Sequence, residues 1–156
     1  MKYRILPLVL ASIALLAGPV HAADQPAVST EIQPLLDVML VAANARDTDR
    51  FMAPFVHDQS LVFVFNGVTY VGFDVLRALQ DKWWREDKTG GTFFQNGRII
   101  MTVLSPTMAV VTQPLAQSRK MPDGQYVQME FVITMVWVKR PEGWRIVQAH
   151  ESTLQR

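Results

Sequence analysis

His150 and Ser152 stand two residues apart in the closing stretch Gly143-Trp144-Arg145-Ile146-Val147-Gln148-Ala149-His150-Glu151-Ser152. On an extended strand that spacing puts both side chains on one face. An imidazole there can serve as general base or acid near neutral pH, or donate a hydrogen bond to a bound carboxylate or carbonyl. It can equally be structural, bonded across the sheet to Thr134 or Ser152. No orienting acid and no Gly-x-Ser-x-Gly elbow accompanies Ser152, so the pair is not a nucleophilic site. His150 is thus the catalytic candidate as a proton-transfer group, and Thr134 and Ser152 are its polar companions.

The remaining chemistry-bearing residues are sparse. His57-Asp58 resembles half a metal site, but two histidines without paired carboxylate spacing make a poor one, and no metal is expected. The absence of cysteine removes thiol catalysis, zinc–cysteine sites and disulfides. Neither Gly-x-Gly-x-x-Gly nor a P-loop occurs, so no nucleotide cofactor is expected. Phe63, Phe65, Tyr70, Trp83 and Trp84 can line an apolar cavity or simply fill a core. Phe63 and Trp83 read as core, Phe65 and Trp84 as cavity wall. Arg98 and Glu130 are charged residues inside otherwise apolar strands. Turned inward, Arg98 would hold a polar ligand; turned outward, both are ordinary solvated positions.

The elements that must position these residues follow from periodicity. Ile32, Leu35, Leu36, Met39, Leu40 and Ala43 form one helical stripe, capped by Ser29 or Thr30, with Pro34 in its first turn. Residues 23–30 read as a mobile lead-in. A short second helix is expected over Asp49 to Phe55. Leu61 to Phe65 is a strand, Asn66-Gly67 a two-residue hairpin turn, and Val68 to Val71 the returning strand. Phe73 to Glu86 is a third helix. Four long strands complete the chain: Phe93 to Leu104, Met108 to Ser118, Tyr126 to Lys139 and Trp144 to Thr153.

Pro122-Asp123-Gly124 and Pro141-Glu142-Gly143 each suit a three-residue hairpin loop, pairing Met121 with Gln125 and Arg140 with Trp144. Counting from those turns sets Thr112 opposite Thr134, and Thr134 opposite His150. One sheet face then carries Thr112, Thr134, His150 and Ser152 among Val110, Val136 and Ile146. The other carries Met129, Phe131, Ile133, Met135 and Trp137. Both faces are apolar, and three helices can cover only one. The expectation is that the Met129/Phe131/Ile133/Met135/Trp137 face is buried in a homodimer.

The chain of 156 residues is long enough for one domain. Residues 1–22 read as a signal peptide: Lys2 and Arg4 as basic head, an apolar run from Ile5 to Leu16, and Val20-His21-Ala22 as cleavage site. The expected location is periplasmic or secreted, with no stable membrane anchor. Losing Lys2 and Arg4 leaves thirteen basic residues against fourteen acidic ones, and the formal charge moves from +1 to −1. No basic stripe remains, which argues against nucleic acid as partner.

The helix pair, the Asn-Gly hairpin, the third helix and the long meander together resemble the NTF2-like fold, a cone of helices on a bent antiparallel sheet. Thr134, Trp144, His150 and Ser152 match the Thr…Gly-x-Trp…His-x-Ser ending of SnoaL-like domains, which is similar to that of the association domain of calcium/calmodulin-dependent kinase. The resemblance spans about Ile32 to Ser152. It implies an α+β domain with a pocket between sheet and helices, the histidine–serine end near its wall, and frequent dimerisation through the convex sheet face. Ketosteroid isomerases and polyketide cyclases of this fold use acidic groups; the matching positions here, Val64 to Asn66 and Thr134, hold none. The combined expectation is an exported module that binds a small, mostly apolar molecule or acts as a dimer. Its polar contacts would be His150, Thr134, Ser152 and Arg98, its apolar ones Trp84 and Phe65. The alternative is an enzyme of proton-transfer or hydrolytic type with His150 as base.

Overall fold

The computed structural model describes residues 24–87, 90–121 and 123–154. The signal-peptide reading falls on residues outside these. Three helices precede and interrupt the strands: α1 (Asp24–Ala45), α2 (Thr48–Met52) and α3 (Phe73–Glu86). The strands are β1 (Val62–Phe65), β2 (Val68–Val71), β3 (Thr92–Gln95), β4 (Ile100–Ser105), β5 (Met108–Lys120), β6 (Tyr126–Arg140) and β7 (Gly143–Thr153). They form one curved sheet in the order β2-β1-β7-β6-β5-β3, with β4 also paired to β5. The sheet is mixed, not wholly antiparallel, because β1 runs parallel to β7.

Helix α1 is longer than its stripe alone indicates. It starts at Asp24, so residues 24–30 are helical instead of a loose lead-in, and Pro34 sits inside the helix. Tertiary contacts explain the extension. Val28 is buried one turn before Ile32, and the Gln25 amide bonds the Met101 carbonyl (2.8 Å) and the Val103 N–H (3.3 Å) on β4. Farther along, Lys139 Nζ and Trp144 Nε1 both donate to Glu31 Oε2 at 2.6 Å. Those two bonds, Lys139 first, hold the Glu31 carboxyl below its ordinary range. They pin α1 to the β6–β7 hairpin, and this is the work of the tryptophan in the closing motif.

The β1–β2 hairpin turns on Asn66 and Gly67, both at positive φ (46° and 82°), as a tight two-residue loop requires. The expected strand from Phe93 to Leu104 is broken. β3 and β4 lie end to end along β5 and separate at residues 96–99. Gly97 there has φ 146°, and a β-carbon on it would stand 3.3 Å from Pro114, which itself carries no ladder N–H.

The β5–β6 loop is as expected: Met121 N–H bonds Gln125 O (2.7 Å), Gly124 N–H bonds Met121 O (2.9 Å), and Gly124 has φ 86°. The β6–β7 turn differs. Arg140 pairs with Gly143, one residue short of the expected partner, and a bulge between Val136 and Trp137 pairings then restores the register. Thr112 therefore does face Thr134, and Thr134 does face His150.

The assignment of faces is inverted. The helices cover the side of β6 that bears Phe131, Met135 and Trp137, which are 5%, 1% and 0% exposed. That face, expected to meet a second copy, is the inner wall of the chain itself. Ile146 joins it because the bulge inserts Val147 and switches the alternation of β7. Thr134, His150 and Ser152 alternate to the outer face, away from the helices.

Candidate functional site

Between the helices and the inner face lies an open cavity of about 530 Å³. Its floor is built in rows by strand register. Gln113, Ile133, Glu151 and Phe65 are successive partners across β5, β6, β7 and β1; Met135, Ala149 and Phe63 form the neighbouring row. Its roof is the apolar stripe of α1 (Leu36, Met39, Leu40, Ala43), Phe51 of α2, and Leu76, Gln80, Trp83 and Trp84 of α3. Spacing of three and four residues makes each stripe continuous, and the amphipathic α3 delivers two tryptophans into the site.

Aromatic packing shapes the wall. The Trp83 ring lies 5.1 Å from Phe65, 6.4 Å from Phe63 and 6.3 Å from Tyr70, and Trp84 meets Phe51 edge-on at 5.2 Å. Phe65 and Trp84 thus line the cavity, and so do Phe63 and Trp83, which are both core and wall.

The polar groups are glutamines and acids that the closing histidine had overshadowed. Near the C-terminal end of α3, Arg46 pairs with Asp87 at 2.7 Å and bonds the Gly91 carbonyl at 2.6 Å. Its guanidinium lies 5.2 Å over Phe93. Arg119 Nε donates to Gln117 Oε1 at 2.7 Å. On the floor, the Gln95 amide nitrogen bonds two backbone carbonyls, Gly97 (2.8 Å) and Pro114 (2.7 Å), so its oxygen receives Gln113 Nε2 at 2.9 Å.

Glu151 is different in kind. Its carboxyl stands in the apolar wall between Ile133 and Phe65, with no hydrogen bond or ion pair among the described residues. Burial pushes its pKa up from 4.5 to about 7. It is the one ionisable group among the described residues so raised, and a group of that pKa can both accept and donate a proton at neutral pH.

The residues expected at the site divide accordingly. His150, Thr134 and Ser152 do not line the cavity: His150 sits exposed on the outer face between Val64 and Thr134, and Ser152 opposite Val132. The Thr112 and Thr134 hydroxyls meet each other there at 3.5 Å. Arg98 is exposed in the break between β3 and β4, outside the cavity. His57 stacks on Phe73 at 4.1 Å. Glu151 was legible as an acid that alternation places among Phe131, Ile133 and Met135; once that face is the inner one, the acid is inside.

The sequence between residues 32 and 155 matches the model of the SnoaL-like domain. The chain belongs to that family. No functionally curated protein matches it. Among solved structures, it is similar to an NTF2-like protein of unknown function from Shewanella oneidensis MR-1, with 23% identity, TM-score 0.68, and 80% of this chain and 98% of that one covered. It is also similar to a protein from Xanthomonas campestris described as a calcium/calmodulin-dependent kinase II association domain (15% identity, TM-score 0.65, 81% and 87% covered). A third is the hexachlorocyclohexane dehydrochlorinase LinA-type3 from Novosphingobium barchaimii LL02 (16% identity, TM-score 0.69, 86% and 92% covered). At these identities the likeness is one of fold: this SnoaL-like chain has the NTF2-like architecture, a frame for ligand-binding or enzymatic modules.

Proposed function

We propose that this SnoaL-like chain binds a compact, largely apolar small molecule in the cavity between α1, α3 and the inner sheet face, with Glu151 as its polar contact. The observation that carries this reading is an open cavity of about 530 Å³ whose wall holds a carboxyl, Glu151, with no partner among the described residues. The volume lies within the usual range for small-molecule pockets, and apolar walls with few convergent polar groups are their usual make-up. The reading is tested by titrating the chain with an apolar fluorescent dye. Saturable binding is expected, and loss of it in Ala43→Phe, which fills the cavity from α1 while circular dichroism is unchanged. No saturable binding by the parent chain overturns it.

An enzymatic reading draws support from the same carboxyl. With its pKa near 7, Glu151 would take the role of proton acceptor that the sequence offered to His150. A dehydrochlorinase of the same fold is consistent with an apolar substrate in such a cavity. In that case turnover rises with pH towards a plateau above pH 7 and is abolished in Glu151→Gln, and His150→Ala leaves it intact.

Export rests on residues 1–22 and is tested by whether the mature chain begins at Ala23 in a periplasmic fraction. We propose that a homodimer forms through the outer sheet face, where Ile100 and Val132 remain 58% and 37% exposed beside Thr112 and Thr134. Sedimentation of the parent chain against Thr134→Arg tests it: the parent is expected to be a dimer and the variant a monomer.

A further inference from the structure

The cavity's charges are unbalanced. Its ionisable lining groups are Glu86 and Asp87 at the end of α3, Glu151 on β7, and Arg119 on β5. Asp87 has Arg46 against it, and Arg119 is tethered through Nε to Gln117. Arg119 is also remote from Glu151. It pairs in register with Val127, six residues before Ile133, the neighbour of Glu151 on β6. At about 3.3 Å per residue that is roughly 20 Å of strand. No cation of the described residues therefore meets Glu151.

The neutral groups nearby point the same way. Gln95 obliges Gln113 to donate an N–H to it, which leaves the Gln113 oxygen without a partner among the described residues, in the same row as Glu151. Gln80, only 9% exposed and also without a hydrogen bond among the described residues, reaches the cavity from α3. Phe65 is the in-register neighbour of Glu151, and its ring packs against Trp83. Acceptor oxygens, a buried carboxyl with no partner among the described residues and aromatic rings suit a positively charged head; the ring faces attract cations, and the carboxyl repels an anion.

We propose that the cavity takes a hydrophobic organic cation, an ammonium carried on an apolar body, with its charged head at Glu151 and the body along α1 and β6. This rests on the small-molecule reading above and specifies its ligand class. Binding would draw Glu151 into its ionised form, releasing a proton, so affinity is linked to pH.

The test compares three probes with one apolar body: naphthylethylamine, naphthylethanol and naphthylacetate, titrated by calorimetry into the full chain above pH 7. The amine is expected to bind at least about tenfold more tightly than the alcohol, and the acid most weakly. Glu151→Gln should erase the preference of amine over alcohol and retain alcohol binding. The amine's advantage should shrink as pH falls below 7 and Glu151 is protonated; Glu86, Asp87 and Arg119 are the other ionisable groups that line the cavity. Equal binding of amine and alcohol, tighter binding of the acid, or an amine preference that survives Glu151→Gln overturns the proposal and leaves the small-molecule reading standing. No binding of any probe overturns both.

Discussion

The two faces of the sheet carry similar side chains and have opposite fates. The inner face of β6 holds Phe131, Ile133 and Met135, and the outer face Val132, Thr134 and Val136. Met135 is 1% exposed and Val132 37%. The apolar content of a strand face does not settle which side meets the helices when both sides are apolar. Volume is the better guide. Methionine, phenylalanine and tryptophan reach far enough to pack under helices, and branched valines and threonines make a flatter surface. The face with the large residues is the one that three helix stripes require.

That contrast can be broken most strongly at Trp137. Its ring is wholly buried and its Nε1 lacks a hydrogen-bond partner among the described residues. Were this face an interface between copies, Trp137→Glu would yield a folded monomer. Here it should cost more than about 4 kcal/mol, because a buried charge has no partner, and near-ultraviolet circular dichroism should show loss of the native fold. Met135→Ala removes packing from the same face and is expected to destabilise by about 2–4 kcal/mol in urea denaturation. The outer-face change Val132→Ala should cost clearly less.

The next effect has the opposite sign and depends on pH. Glu151 has a folded pKa of about 7 against an ordinary 4.5. The folded chain therefore holds a proton that the unfolded chain releases between those values, and its stability falls as pH rises through that window. Glu151→Gln removes the cost. Above pH 7 it should be more stable than the parent by up to about 3 kcal/mol, and below pH 4.5 the two should melt together. A parent chain whose stability gap to the variant does not change with pH would place the carboxyl in water.

The smallest effect is expected at the residue that first drew notice. His150→Ala on the exposed outer face should change unfolding free energy by no more than about 0.5 kcal/mol and leave dye uptake by the cavity unchanged. A loss of uptake would return His150 to the site.

The sequence alone determined the elements, because local signals specify them. Asn66-Gly67 dictated its hairpin, helical spacing in Phe73 to Glu86 dictated α3, and the Asp123-Gly124 turn set a β5–β6 register that places Thr112 against Thr134. The closing motif carried the family, and its tryptophan proved to be a strut to Glu31. The tertiary structure decided what local signals cannot reach. It extended α1 through Val28 and Gln25, whose partners lie far along the chain. It offset a one-residue shift at the last turn with a bulge at Val147. Above all it chose the inner face of the sheet. Alternation states only that His150 and Glu151 point opposite ways; the packing of three helices on one side put Glu151 in the cavity and His150 outside it.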